Sequence, residues 1–229
     1  MNNRIATASH FLFLLLIIFS CHSCTSPRDK SIKEWKKHEW KIVKADKSDD
    51  PTWVISTRKI FDTNFLEYKI EGGIRSSPKA CMSSFKQDIY NLASDSNSKK
   101  FPTYEIVRAS KDSLLTYVIH NEPFPFKDTE MSVRYFFFQD SENSAEGVNW
   151  QEGWEDASVP PPSKKLSRIQ VFRGSWKFSP GAGSHCKAIN SVQFDAKKMP
   201  HWLVNKMVVK FLVEGLEKIR KMACVPDSF

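Results

Sequence analysis

The sequence predicts an α+β domain in which an antiparallel sheet carries its helices on one side. Three observations predict it. Segments rich in β-branched and aromatic residues recur along the chain, one helical periodicity interrupts them, and a long amphipathic helix closes the sequence. With 229 residues, 41% hydrophobic and 26% charged, the chain can bury a core without metals or a disulfide scaffold. That balance excludes disorder, a collagen-like fibre and a polytopic membrane protein. Lys and Arg exceed Asp and Glu by 34 to 26, a net +8, but the excess is spread out and argues against a nucleic-acid-binding arm. The 17 Phe and 7 Trp must fill a thick core or line a cavity.

The elements follow in order. Arg4 precedes an unbroken apolar run from Phe11 to Phe19, too short to span a bilayer and suited to the core of a signal peptide over residues 1–20. Ile18-Phe19-Ser20-Cys21 then resembles the lipobox of bacterial lipoproteins. That resemblance implies an acylated Cys21 as the lipid anchor, a tether over 21–31 and residence in the bacterial cell envelope, periplasm or outer membrane. Cys24 as the anchor, or ordinary secretion, are the alternatives. An oxidising compartment permits a disulfide among Cys24, Cys81, Cys186 and Cys224, but their spacing selects no pair. Cys81 and Cys186 read first as small buried apolar residues.

From residue 32 no linker divides the chain, so 32–229 reads as one domain. Ile32 to Trp40 is a short helix or a loop leading into Lys41 to Ala45. Trp53 to Ile60 and Phe65 to Ile74 are strands, the second with Leu66, Tyr68 and Ile70 alternating with Glu67, Lys69 and Glu71. Cys81, Phe85, Ile89 and Leu92 recur at helical spacing behind Pro78, and Ser94 to Lys100 is a polar exit. Tyr104 to Ala109, Leu114 to His120, Met131 to Gln139, Leu166 to Phe178 and Ala188 to Asp195 return to strand chemistry. Finally Val204, Val208, Phe211, Gly215 and Ile219 mark the apolar side of a helix from Pro200 to Met222, roughly 35 Å long. Gly215, in its middle, predicts either a strand crossing closely beneath or room for a ligand.

Two stretches carry a family resemblance. Residues 120–133, His120-Asn121-Glu122-Pro123-Phe124-Pro125-Phe126-Lys127-Asp128-Thr129-Glu130-Met131-Ser132-Val133, look like the Pro-x-x-x-Arg-Asp-x-x-Val segment of the START (steroidogenic-acute-regulatory-related lipid-transfer) domain. Met199-Pro200-His201-Trp202-Leu203-Val204-Asn205 resembles that family's Pro-x-Trp-Leu-Val-Asn opening of the C-terminal helix. Thr129-Glu130 stands where the family usually has Arg-Asp, so a salt bridge assumed from the family lacks its arginine. The resemblance implies the helix-grip fold of the Bet v 1-like superfamily, a curved antiparallel sheet wrapped around a long C-terminal helix. It also implies a tunnel for one lipid or other hydrophobic small molecule.

By pattern the ligand cavity would be walled by Leu66, Tyr68, Phe136, Phe138 and Val171, and capped by Val204, Val208, Phe211 and Leu212. Ordinary core is the alternative for each. Arg173 alternates with Ile169 and Val171, and an inward arginine would suit an acidic headgroup; an exposed one is the alternative. Trp150 and Trp154, in an acidic stretch before Pro160-Pro161-Pro162, are candidates for a lid, or pack on the sheet edge. The basic excess of the last helix suits anionic headgroups or simply solvent.

Catalysis finds little support. Gly181-Ala182-Gly183-Ser184-His185 is no nucleophile elbow, and His38-Glu39 lacks the second histidine of a zinc motif. Neither a metal nor another cofactor is called for, and nucleic acid is not an expected partner. The expectation is a monomer on a lipid anchor that binds one hydrophobic molecule, with a cyclase-like or hydrolase-like enzyme and a filled interaction module as alternatives.

Overall fold

The computed structural model describes residues 39–47, 52–60, 63, 65–122, 126–183, 185–195 and 201–223. The expected signal peptide, Cys21, Cys24, the tether, the segment from Ile32 to His38, and Cys224 lie outside them.

Strands β1 (Lys41–Ala45), β2 (Trp53–Lys59) and β3 (Phe65–Ile74) lead into helix α1 (Pro78–Ser94). Strands β4 (Thr103–Ala109), β5 (Ser113–His120), β6 (Thr129–Asp140), β7 (Ala145–Glu152), β8 (Ser167–Arg168), β9 (Phe172–Pro180) and β10 (Cys186–Asp195) follow, and helix α2 (His201–Ala223) ends the series. The sheet order is β1-β2-β3-β10-β9-β7-β6-β5-β4, with short β8 pairing parallel to the start of β6. All the other pairings are antiparallel. Helix α1 carries the chain from β3 to the far edge strand β4, and β10 returns to pair with β3 along its whole length.

The helices start and stop where their chemistry directs. Ser77 caps α1 by accepting the Ala80 N–H at 3.2 Å, and Pro78 fills the first turn, where its missing N–H costs nothing. Cys81, Met82 and Ile89 turn to the core, with Phe85 packed beside them. In α2, Val204, Leu212, Leu216, Ile219 and Ala223 form the buried stripe. At Gly72 of β3 a Cβ would stand 2.8 Å from Leu216 Cδ2 of α2 and 3.0 Å from the Thr52 carbonyl oxygen.

Gly215 itself is not a point of tight approach. A Cβ there would meet only the Trp176 indole, at 3.9 Å, an ordinary van der Waals contact. Gly215→Ala is expected to raise stability by about 1 kcal/mol through helix propensity, read as a higher urea midpoint.

Between sheet and helix lies one apolar cluster of rings. Trp176 stacks on Phe178 with centroids 5.2 Å apart, and Trp150 lies 6.2 Å from Phe172 and 6.4 Å from Tyr135. Gly174 makes room for that arrangement, since a Cβ on it would overlap the Trp150 indole.

A smaller buried cluster sits on the opposite face of the sheet. Glu130, alternating with the core residues Met131 and Val133, accepts from Arg168 Nε at 2.9 Å and from the Tyr117 hydroxyl at 2.9 Å. The Arg168 guanidinium lies 3.8 Å over the Trp154 ring and donates to the Pro160 carbonyl at 3.1 Å. One charge pair thus fastens the proline-rich strap after β7 to the sheet.

Candidate functional site

The candidate site is the inner face of the sheet together with the stripe of α2 that lies on it. Leu66 and Tyr68 of β3, Trp150 of β7 and Trp176 of β9 face Val204, Val208 and Leu212 of α2 within one cluster. A few polar groups interrupt it. The Tyr68 hydroxyl donates to Asn205 Oδ1 on α2. The hydroxyls of Tyr104 and Tyr135 share a hydrogen bond, and Lys218 of α2 pairs with Asp88 of α1 nearby. Two further inward atoms, Trp150 Nε1 and Asn190 Oδ1, are buried without a hydrogen-bond partner.

Burial governs the titration of Tyr117 and Tyr135. It pushes the Tyr135 phenol up to about 12, and burial with the Glu130 carboxylate pushes Tyr117 to about 12 as well. Unfolded tyrosine ionises at 10.0, so above that pH the unfolded chain sheds protons that the folded chain retains. Stability is therefore whole below 10.0 and falls as pH rises toward about 12. Urea midpoints over that range check the prediction, and Tyr117→Phe should flatten the fall.

The residues expected as walls divide. Leu66, Tyr68, Val204, Val208 and Leu212 lie in or against the inner cluster. Phe136 and Phe138 do not: they are 42% and 36% exposed on the outer face, while Tyr135 and Phe137 point inward. The register decides this, because Tyr135 pairs with Trp150 and Leu114, whereas Phe138 pairs with Gly147 and its ring covers that glycine. Phe211 is 48% exposed, since the helix turns its neighbour Leu212 to the sheet instead. Val171 is half-buried just ahead of β9, the run from Leu166 being split into β8 and β9.

The lid expectation is corrected. Trp150 sits within β7 and is buried in the core, because Asn149 to Glu152 continue a strand rather than open a loop. Trp154 is half-buried, donating its indole N–H to the Ile169 carbonyl at 2.8 Å under Arg168. Arg173 is also taken. It lies in register with Gln193 and, one strand further, Glu67, on the face away from α2, and its Nε reaches Glu152 Oε1 at 2.9 Å. Glu152 also accepts the Phe172 N–H, filling the gap where β7 and β9 diverge.

Sequence reasoning passed over Trp176, Asn190 and the Tyr104–Tyr135 pair. Asn190 stands two residues from both Ala188 and Val192 and so shares their face, and period-2 reading places it inward once those two are known to be core. Among the described residues no three His, Cys, Asp or Glu side chains are grouped to hold a metal, and no helix is long and apolar enough to cross a membrane.

No protein-family model and no curated protein sequence matches the chain. Solved structures do match. A STAR-related lipid transfer protein fragment from Xanthomonas axonopodis superposes with a TM-score of 0.65 at 16% identity, covering 81% of this chain and 99% of its own. The lipid transfer and protein localization domain of human StarD13 gives 0.63 at 11% identity, covering 85% and 94%. Human StAR-related lipid transfer protein 5 gives 0.61 at 9% identity, covering 84% and 90%. The chain has the START fold. It is α+β in the helix-grip arrangement, and its departure from the usual START Arg-Asp pair has a structural answer. Glu130 draws its arginine from β8, as Arg168, while Arg134 pairs with Asp156 at 2.9 Å.

Proposed function

We propose that this START-fold domain binds one lipid or similarly hydrophobic molecule between the inner sheet face and α2, and carries it without chemical change. The observation that supports this most is the fold shared with three lipid-transfer domains, joined to an inner face built from rings. Apolar burial would supply the affinity, at roughly 25 cal/mol per Å². The unpartnered Trp150 N–H and Asn190 oxygen are a donor and an acceptor that can orient a ligand's polar group. In this proposal the domain hangs from the envelope membrane by the acylated Cys21 and works as a monomer.

The two ends of α2 are held differently: near the N-terminal end the Tyr68 hydroxyl donates to the Asn205 side chain and Val204 is buried, whereas the C-terminal end is held through backbone carbonyls. Arg220 donates to the carbonyls of Gly73 and Thr52, and Ser76 donates to that of Ala223, so the C-terminal end is bound to the sheet. The N-terminal half presents Trp202, 70% exposed, with Met207 and Phe211 beside Lys206 and Lys210. Rings among lysines are the composition of a helix that lies at a lipid headgroup surface. We propose that α2 meets the membrane at this end and parts from the sheet there.

Uptake of a fluorescent phospholipid and a fluorescent sterol from anionic vesicles tests the proposal. Saturable uptake near one per chain is expected, and Trp202→Ala with Phe211→Ala should slow it and weaken vesicle binding by roughly tenfold. No uptake of either probe contradicts it. That outcome favours an interaction module with a filled interior, for which the stacked Trp176 and Phe178 speak.

A further inference from the structure

Two buried sulfurs that spacing alone could not pair are brought together by the fold. Cys186 opens β10, directly opposite Ile74, the last residue of β3. Three residues after Ile74 the chain is capped by Ser77 and enters α1 at Pro78, so that Cys81, in the first turn, follows the end of β3 by only seven residues. The Cys81 N–H bonds to the Ser77 carbonyl at 3.0 Å, which fixes that turn. Both residues are fully buried in the core cluster, and the Cys81 thiol hydrogen-bonds the Cys186 sulfur.

We infer that Cys81 and Cys186 are a disulfide pair, closed when the chain folds in an oxidising compartment and joining α1 to β10. The bond would staple the end of the sheet where α2 also closes, through Ser76 and Ala223. In the folded chain the hydrogen bond from Cys81 holds the Cys186 thiol below its ordinary range.

With glutathione disulfide as oxidant the step balances. The Cys186 thiolate attacks one glutathione sulfur, the glutathione S–S bond breaks, and one glutathione thiolate leaves. The Cys81 thiolate then attacks the Cys186 sulfur of the mixed disulfide and expels the second glutathione. Two protein thiols have been oxidised, one glutathione disulfide has been reduced to two thiols, and the two protons lost by the cysteines end on the glutathiones. Because both thiols are buried in the native chain, closure belongs to folding, before the core shuts.

The test is refolding of the full chain from denaturant in a glutathione redox buffer, alkylation of the remaining thiols, and peptide mapping without reductant. The expected result is a peptide joining Cys81 to Cys186 in most molecules. The oxidised chain should also melt about 5–10 °C above the reduced one, a gap that Cys81→Ala and Cys186→Ala each abolish. Recovery of Cys81 and Cys186 as alkylated thiols, or of either joined to Cys21, Cys24 or Cys224, overturns the inference. The mapping uses the native sequence, so it stands even if an alanine variant folds poorly.

Discussion

Glu130→Ala is expected to lower stability by about 3–5 kcal/mol, the usual cost of stranding one partner of a buried ion pair. The Glu130 carboxylate is 0% exposed, and its two oxygens serve Arg168 and Tyr117. Its loss leaves the Arg168 guanidinium without its carboxylate beside the Trp154 ring and loosens the strap that carries Pro160. Replacing both partners, as Glu130→Met with Arg168→Met, should recover much of the loss, because two apolar side chains strand no charge. Urea denaturation of the single and double variants measures this. A single variant within about 1 kcal/mol of the parent would mean that the pair is not an anchor.

Gly174→Val is expected to cost roughly 3 kcal/mol, near the upper end for overpacking a core. Gly174 lies between Trp150 and Val192 in register, and a Cβ on it would overlap both the Trp150 indole and the Ser191 carbonyl oxygen. The backbone oxygen cannot swing aside as a side chain can, so the strand pair must shift or Trp150 must leave its seat. A red shift of tryptophan fluorescence should accompany the loss. Gly73→Ala is the control: a Cβ there meets nothing within 4 Å, and its effect should be a few tenths of a kcal/mol.

These two sites also show what a sequence can and cannot disclose. The long helix α2 and strand β3 were legible because one face of each repeats at a clean period, 3.6 in one and 2 in the other. Strand β7 was not. Its Ala145, Gly147, Asn149 and Glu152 are weak strand formers, and its place is secured by distant partners: the Phe138 ring over Gly147 and Arg173 on Glu152. The run from Tyr135 to Phe138 is apolar on both faces, so alternation could not choose the inward pair; only the register with β5 and β7 does. Arg173 read as inward because period 2 was carried back through residues 169–171, which lie between β8 and β9. Glu130 and Arg168 are 38 residues apart in sequence and meet only because β8 lies beside the start of β6.

The central claim, a single hydrophobic ligand held between sheet and helix, is tested most directly by native mass spectrometry of the protein purified from cells without detergent, followed by extraction and identification of what it holds. The account predicts one lipid-class molecule per chain, retained through purification and lost when Val208→Trp puts an indole where the proposed ligand would lie beneath α2. A chain that emerges empty, and stays empty after incubation with phospholipid, sterol and fatty-acid vesicles, would contradict it.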